Sequence, residues 1–108
     1  MEKIIIPVFG NRISPRLEYA KSFQLITVEN NAIVEKESVK ILANNMLERI
    51  NMIINIQPDV VICNGISDLC KEELLKNNIK IFPWINGNVE TVLKKYLNKK
   101  LKREYGKL

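Results

Sequence analysis

The chain has 108 residues, 46% of them hydrophobic and 27% charged, a composition that excludes a disordered polymer and fits one ordinary globular core. No apolar run approaches the roughly 20 residues needed to span a bilayer, and Met1-Glu2-Lys3 opens no export signal, so a cytoplasmic protein with two free thiols is expected. The net charge of +5 is an uneven average: residues 94–108 carry +6 and the other 93 carry −1.

Ile4 to Phe9 is an unbroken apolar run, which reads as a strand buried on both faces, and Pro7 within it suggests a bulge or strand end. Residues 11–19 read as a loop. Phe23–Glu29 and Ala32–Glu37 read as a hairpin, because Asn30-Asn31 tolerates the positive φ angles of a two-residue turn. Val39, Ala43, Met46, Ile50, Ile53 and Ile54 recur at helical spacing, and Pro58 ends that helix. Asp59–Cys63 is a second buried strand. Ser67 can cap a helix carrying Cys70 and Leu74 on one face, and Asn77-Asn78 ends it. Ile79–Phe82 is a third buried strand. Asn88 can cap a last helix whose Val89, Val92, Leu93, Tyr96, Leu97 and Leu101 face the core. The order β, β, β, α, β, α, β, α implies a mixed sheet with helices on its faces.

Three loops follow the carboxyl ends of the buried strands: Gly10–Arg16, Cys63–Asp68 and Pro83–Asn88. Ligands of open α/β sheets bind outside such ends. If the strands are parallel neighbours, one rim gathers Arg12, Arg16, the Cys63 thiol, the Trp84 indole and two helix N-termini, a set that favours an anion. Each residue also has a plainer role. Gly10, Gly65 and Gly87 can be turn formers, Cys63 and Cys70 small buried hydrophobes, and the arginines ordinary surface. The chain has no histidine, no P-loop, no dinucleotide fingerprint and no carboxylate cluster, so a non-catalytic protein is expected.

Ile4-Ile5-Ile6-Pro7-Val8-Phe9-Gly10-Asn11-Arg12-Ile13-Ser14-Pro15-Arg16-Leu17, Asp59 to Ile66 and Ile79 to Glu90 together resemble the dinitrogenase iron-molybdenum cofactor biosynthesis family. The resemblance covers residues 3 to about 98. It divides the chain into a domain of residues 1–98 and a basic C-terminal helical extension of residues 99–108. It implies an α/β, ribonuclease H-like fold: a five-stranded mixed sheet in order 3-2-1-4-5, strand 2 antiparallel, with helices on both faces. It also implies a protein that binds or carries an iron-sulfur or iron-molybdenum-type metallocluster.

The binding residues it implies are Gly10, Asn11, Arg12, Ser14 and Arg16 from the first loop, Cys63, Asn64 and Gly65 from the second, and Trp84 and Asn86 from the third. Cys63 is the one metal ligand. One thiolate is a small share of the usual four, so a carrier would work with fewer or across a homodimer. Metallocluster donor or acceptor proteins are the implied partners, and loss of Cys63 is expected to abolish cluster retention. Two other readings compete: a regulatory or scaffold domain binding a small anion or protein at the same rim, and a nucleic-acid accessory protein using the basic tail. The plainer reading of that tail is a solvated helix end.

Overall fold

The structure is a computed structural model, and it describes residues 1–99 and 101. Strands β1 (Glu2–Phe9), β2 (Arg12–Ile13), β3 (Ser22–Glu29) and β4 (Ala32–Lys40) come first. Helix α1 (Met46–Ile56), β5 (Val60–Ile62), α2 (Asp68–Lys76), β6 (Lys80–Phe82) and α3 (Val89–Leu97) then alternate. Five of the strands stand in the order β4-β3-β1-β5-β6. Strand β3 runs antiparallel to β1 and β4, while β1, β5 and β6 are mutually parallel. The sheet has six strands rather than the expected five, because the two-residue β2 folds back on β1 through Val8↔Ile13 and Phe9↔Arg12. Two residues are too few to leave a periodic signal.

The unbroken apolar run of β1 is explained by burial on two sides. Ile4, Ile6 and Val8 pack with Val89, Val92 and Leu93 of α3, whereas Ile5 packs with Ile50 and Ile53 of α1 and Cys70 and Leu74 of α2. Alternate side chains of one strand therefore enter separate cores on opposite faces.

Pro7 makes neither a bulge nor a strand end, since the β1–β3 register runs through Pro7↔Phe23 without a shift. Its carbonyl accepts from Ser14 N–H at 2.9 Å. The peptide groups of Pro7 thus face away from β3, where β1 changes partner from β5 to β2, and the missing N–H costs no β3 hydrogen bond.

The hairpin turn forms as expected, with φ of 51° at Asn30 and 63° at Asn31. The first helix does not: Val39 belongs to β4, Ala43 precedes the helix, and α1 begins at Met46. Asn45 Oδ1 accepts from Glu48 N–H and Glu48 Oε1 accepts from Asn44 N–H, both at 2.9 Å, a reciprocal cap that sets this start. Ser67 and Asn88 cap α2 and α3 as expected. Helix α3 ends at Leu97, Lys99 adopts a φ of 59°, and Leu101 still packs on the α3 core. The rest of the expected basic extension, residue 100 and residues 102–108, lies outside the described residues.

Candidate functional site

The three expected loops form one rim, held by main-chain hydrogen bonds. Gly65 N–H donates to the Pro15 carbonyl at 2.9 Å and Leu17 N–H to the Gly65 carbonyl at 2.8 Å, joining the first loop to the second. Ile13 N–H to Gly87 O at 2.9 Å and Val89 N–H to Asn11 O at 3.0 Å join the first to the third. Trp84 N–H to Asn64 O at 3.0 Å and Ile85 N–H to Cys63 O at 2.9 Å close the circuit. All ten residues expected to bind therefore stand in mutually bonded segments.

Their side chains divide sharply by exposure. Gly10, Asn11, Arg12, Arg16, Trp84 and Asn86 are exposed, Asn64 is half-buried, and Ser14, Cys63 and Gly65 are buried. Arg12 makes no ion pair among the described residues. Ser14 Oγ is spent on the Arg16 carbonyl at 3.1 Å. Trp84 holds a φ of 63°, unusual for a bulky side chain and costing on the order of 1 kcal/mol. Its bonded neighbours fix it there, with its indole half in solvent.

Cys63 has no exposed surface and packs with Ile66, Cys70 and Leu74 in the core beneath α1 and α2. Burial pushes its thiol far up, reinforced by the neighbouring Cys70 and Glu18 charges. Cys70 is pushed up to about 12, by burial first and Glu18 next, with Arg49 acting in the opposite direction. Both groups are neutral thiols at neutral pH and poor nucleophiles or ligands in that form.

The sign of the resulting pH dependence follows. The unfolded thiols ionise near the ordinary value of 9.0 while the folded ones stay protonated, so their contribution is complete below pH 9 and is lost as pH rises above it. Between pH 7 and 10, wild type is expected to lose about 3 kcal/mol more stability in urea titrations than a Cys63→Ala, Cys70→Ala double variant. Equal losses in the two proteins would refute the assignment.

The residue that sequence reading missed is Glu18, which follows the first loop in a one-turn 3-10 helix, Leu17–Tyr19. Its side chain is 5% exposed. One oxygen accepts from Ser67 N–H at 2.7 Å, and the other stands 3.2 Å from Arg16 Nη2. The α2 N-terminus, expected to attract an external anion, thus already holds an internal carboxylate. The α3 terminus is likewise filled, by Asn88 Oδ1 on the Glu90 and Thr91 N–H groups and by Asn11 O on Val89 N–H. That expectation is corrected: what remains for an anion is the arginines, not the helix ends. Arg49 further ties α1 to this segment, donating from Nη1 to the carbonyl of Ala20 at 2.5 Å.

With this geometry in place, comparison with known proteins decides the family. The family model for dinitrogenase iron-molybdenum cofactor matches residues 2–99. The chain belongs to the dinitrogenase iron-molybdenum cofactor family. An uncharacterized protein of Methanocaldococcus jannaschii, MJ0580, is 23% identical over 106 residues, 94% of this chain and 90% of its own. Among solved structures, PH0822 superposes with a TM-score of 0.87 at 20% identity, covering 95% of each chain. The apo form of the orange protein from Desulfovibrio gigas gives 0.79 at 14% identity, over 98% of this chain and 95% of that one. At such identities the structural likeness shows the fold alone, and the family assignment rests on the sequence match. Among the described residues of this family member, no helix is long and apolar enough to cross a membrane.

Proposed function

We propose that this protein is a non-catalytic, cytoplasmic carrier with a ribonuclease H-like fold. It holds an anionic iron-sulfur or iron-molybdenum-type cluster as cargo at the three-loop rim. Family membership supports the metallocluster, and one observation carries the mode of binding: the rim exposes Arg12 and Arg16 while it covers Cys63. The donors present do not fit a cage of protein ligands. Among the described residues no three His, Cys, Asp or Glu side chains stand together where a metal could sit, and Cys63 is a buried thiol. The cargo in this reading comes already assembled from a donor protein and leaves to an acceptor. It is held by the guanidinium groups and the loop edges, with Asn11, Asn64, Trp84 and Asn86 around it. Cys63 would reach iron only if its packing against Ile66, Cys70 and Leu74 opened, and a homodimer would double the arginines.

The test is anaerobic loading with an assembled cluster, followed by gel filtration, iron and sulfide analysis and a visible spectrum. Wild type and Cys63→Ala are expected to retain the cluster, and an Arg12→Ala, Arg16→Ala double variant to lose about tenfold or more in affinity. Loss in Cys63→Ala alone would restore thiolate ligation as the binding mode. No retention by wild type would remove the carrier reading and leave a regulatory or scaffold domain that binds a small anion at the same rim.

A further inference from the structure

On one flank of the rim lies a cleft of about 520 Å3, within the size range of small-molecule sites. Its apolar lining comes from Phe9 at the end of β1 and from Pro15, Tyr19 and Ala20 around the 3-10 turn. Phe9 is 78% exposed and Tyr19 76%, whereas Phe23 and Phe82 are buried in the cores. Leaving rings in water forgoes burial worth roughly 25 cal/mol per Å2, so two rings exposed at one cleft call for an explanation. The backbone that carries them is set by a Gly10 turn at a φ of 64° directly after Phe9 and by the Tyr19 N–H, which donates to the Arg16 carbonyl at 3.3 Å.

The charged residues lining the cleft are Arg16 and Lys21, and no carboxylate lines it. Arg16 shares its charge with Glu18, while Lys21 makes no ion pair among the described residues. The cleft therefore joins aromatic surface to uncompensated positive charge.

We propose that this cleft binds a small aromatic anion, with its ring against Phe9 and Tyr19 and its acidic group toward Lys21 and Arg16. Ring–ring contact and the Lys21 charge, unpaired among the described residues, together favour such a ligand over a ring or an anion alone. This second ligand class goes beyond the cluster reading. The cleft adjoins the rim and shares Arg16 with it, so an occupant would bear on cluster loading.

The test titrates the full chain with phenyl phosphate, inorganic phosphate and phenol while following its backbone amide NMR signals. Phenyl phosphate is expected to move the signals of Gly10, Arg16, Tyr19 and Lys21, and to bind about tenfold more tightly than either fragment. Phe9→Ala and Lys21→Ala should each weaken it roughly fivefold. Both side chains are exposed, so these variants keep the fold, and unchanged signals elsewhere verify it. Equal affinity for phenyl phosphate and inorganic phosphate, shifts centred away from the cleft, or affinities untouched by both substitutions would overturn the proposal. Neither variant alters Arg12 or Arg16, so failure here and failure of cluster loading are read separately.

Discussion

Gly65→Ala is expected to destabilise the protein by about 2–3 kcal/mol, more than alanine at either of the other rim glycines. A Cβ at Gly65 would stand 2.9 Å from the Pro15 carbonyl oxygen and 3.1 Å from Arg16 Cγ. The first of these is backbone, and it accepts the Gly65 N–H at 2.9 Å, so relieving the clash breaks the bond that joins two loops. Gly10 and Gly87 differ in kind. They hold φ of 64° and 117° with nothing within 4 Å of an added Cβ, so their requirement is conformational. At Gly10 the cost of alanine is about 1 kcal/mol, and asparagine, which tolerates the left-handed region, should recover most of it. Asparagine at Gly65 should recover nothing. Urea unfolding of Gly65→Ala, Gly65→Asn, Gly10→Ala and Gly10→Asn checks the contrast. A Gly65→Ala variant within 0.5 kcal/mol of wild type, a loss of about the size seen for ordinary surface changes, would show that the loops separate freely.

This contrast marks where the sequence was informative. The turn at Asn30-Asn31 and the caps Ser67 and Asn88 were legible because each is fixed locally, the turn by residues that tolerate positive φ and the caps by side chains acting within three residues. The buried strands β1, β5 and β6 were legible because burial on both faces writes itself as a continuous apolar run. Strand β4 was not. It is exposed along nearly all its length, so Ala32–Lys40 carries no alternation, and Val39 fell in with the helical spacing that follows. The strand state of Ser38, Val39 and Lys40 comes from pairing with Gln24, Phe23 and Ser22 of β3, a tertiary cause invisible to local pattern.

The site divides along the same line. That three loops share a rim could be inferred from strand order, which the family resemblance supplied. Which side chains face solvent there could not. Cys63 and Arg16 are both candidate binders on paper, yet Cys63 turns into the core beneath α1 and α2 while Arg16 stays outside. Glu18 gave no signal at all, because its partner, the Ser67 N–H, lies 49 residues away.

Glu18→Ala is expected to cost about 2–3 kcal/mol, comparable to the loss at Gly65 through a different mechanism. The substitution leaves the Ser67 N–H without its acceptor at the start of α2 and removes the charge that faces Arg16. Arg16, with 44% of its side chain exposed, can turn to water, so the half-buried Ser67 amide carries most of the loss. Glu18→Gln keeps an acceptor for that amide but not the charge, and should cost about half as much. The two variants also report on the thiols. Glu18 helps to hold both Cys63 and Cys70 neutral, so Glu18→Gln should speed modification of the folded protein by a thiol reagent at pH 8.5, whereas a purely structural loss would speed it only in proportion to unfolding. Stability and labelling rate, measured on the same samples, decide between them. If Glu18→Gln loses stability without a faster rate beyond that proportion, the carboxylate acts only as a cap for α2. If Glu18→Ala costs less than about 0.5 kcal/mol, water replaces it at the helix end, and the α2 N-terminus returns as a site for an external anion.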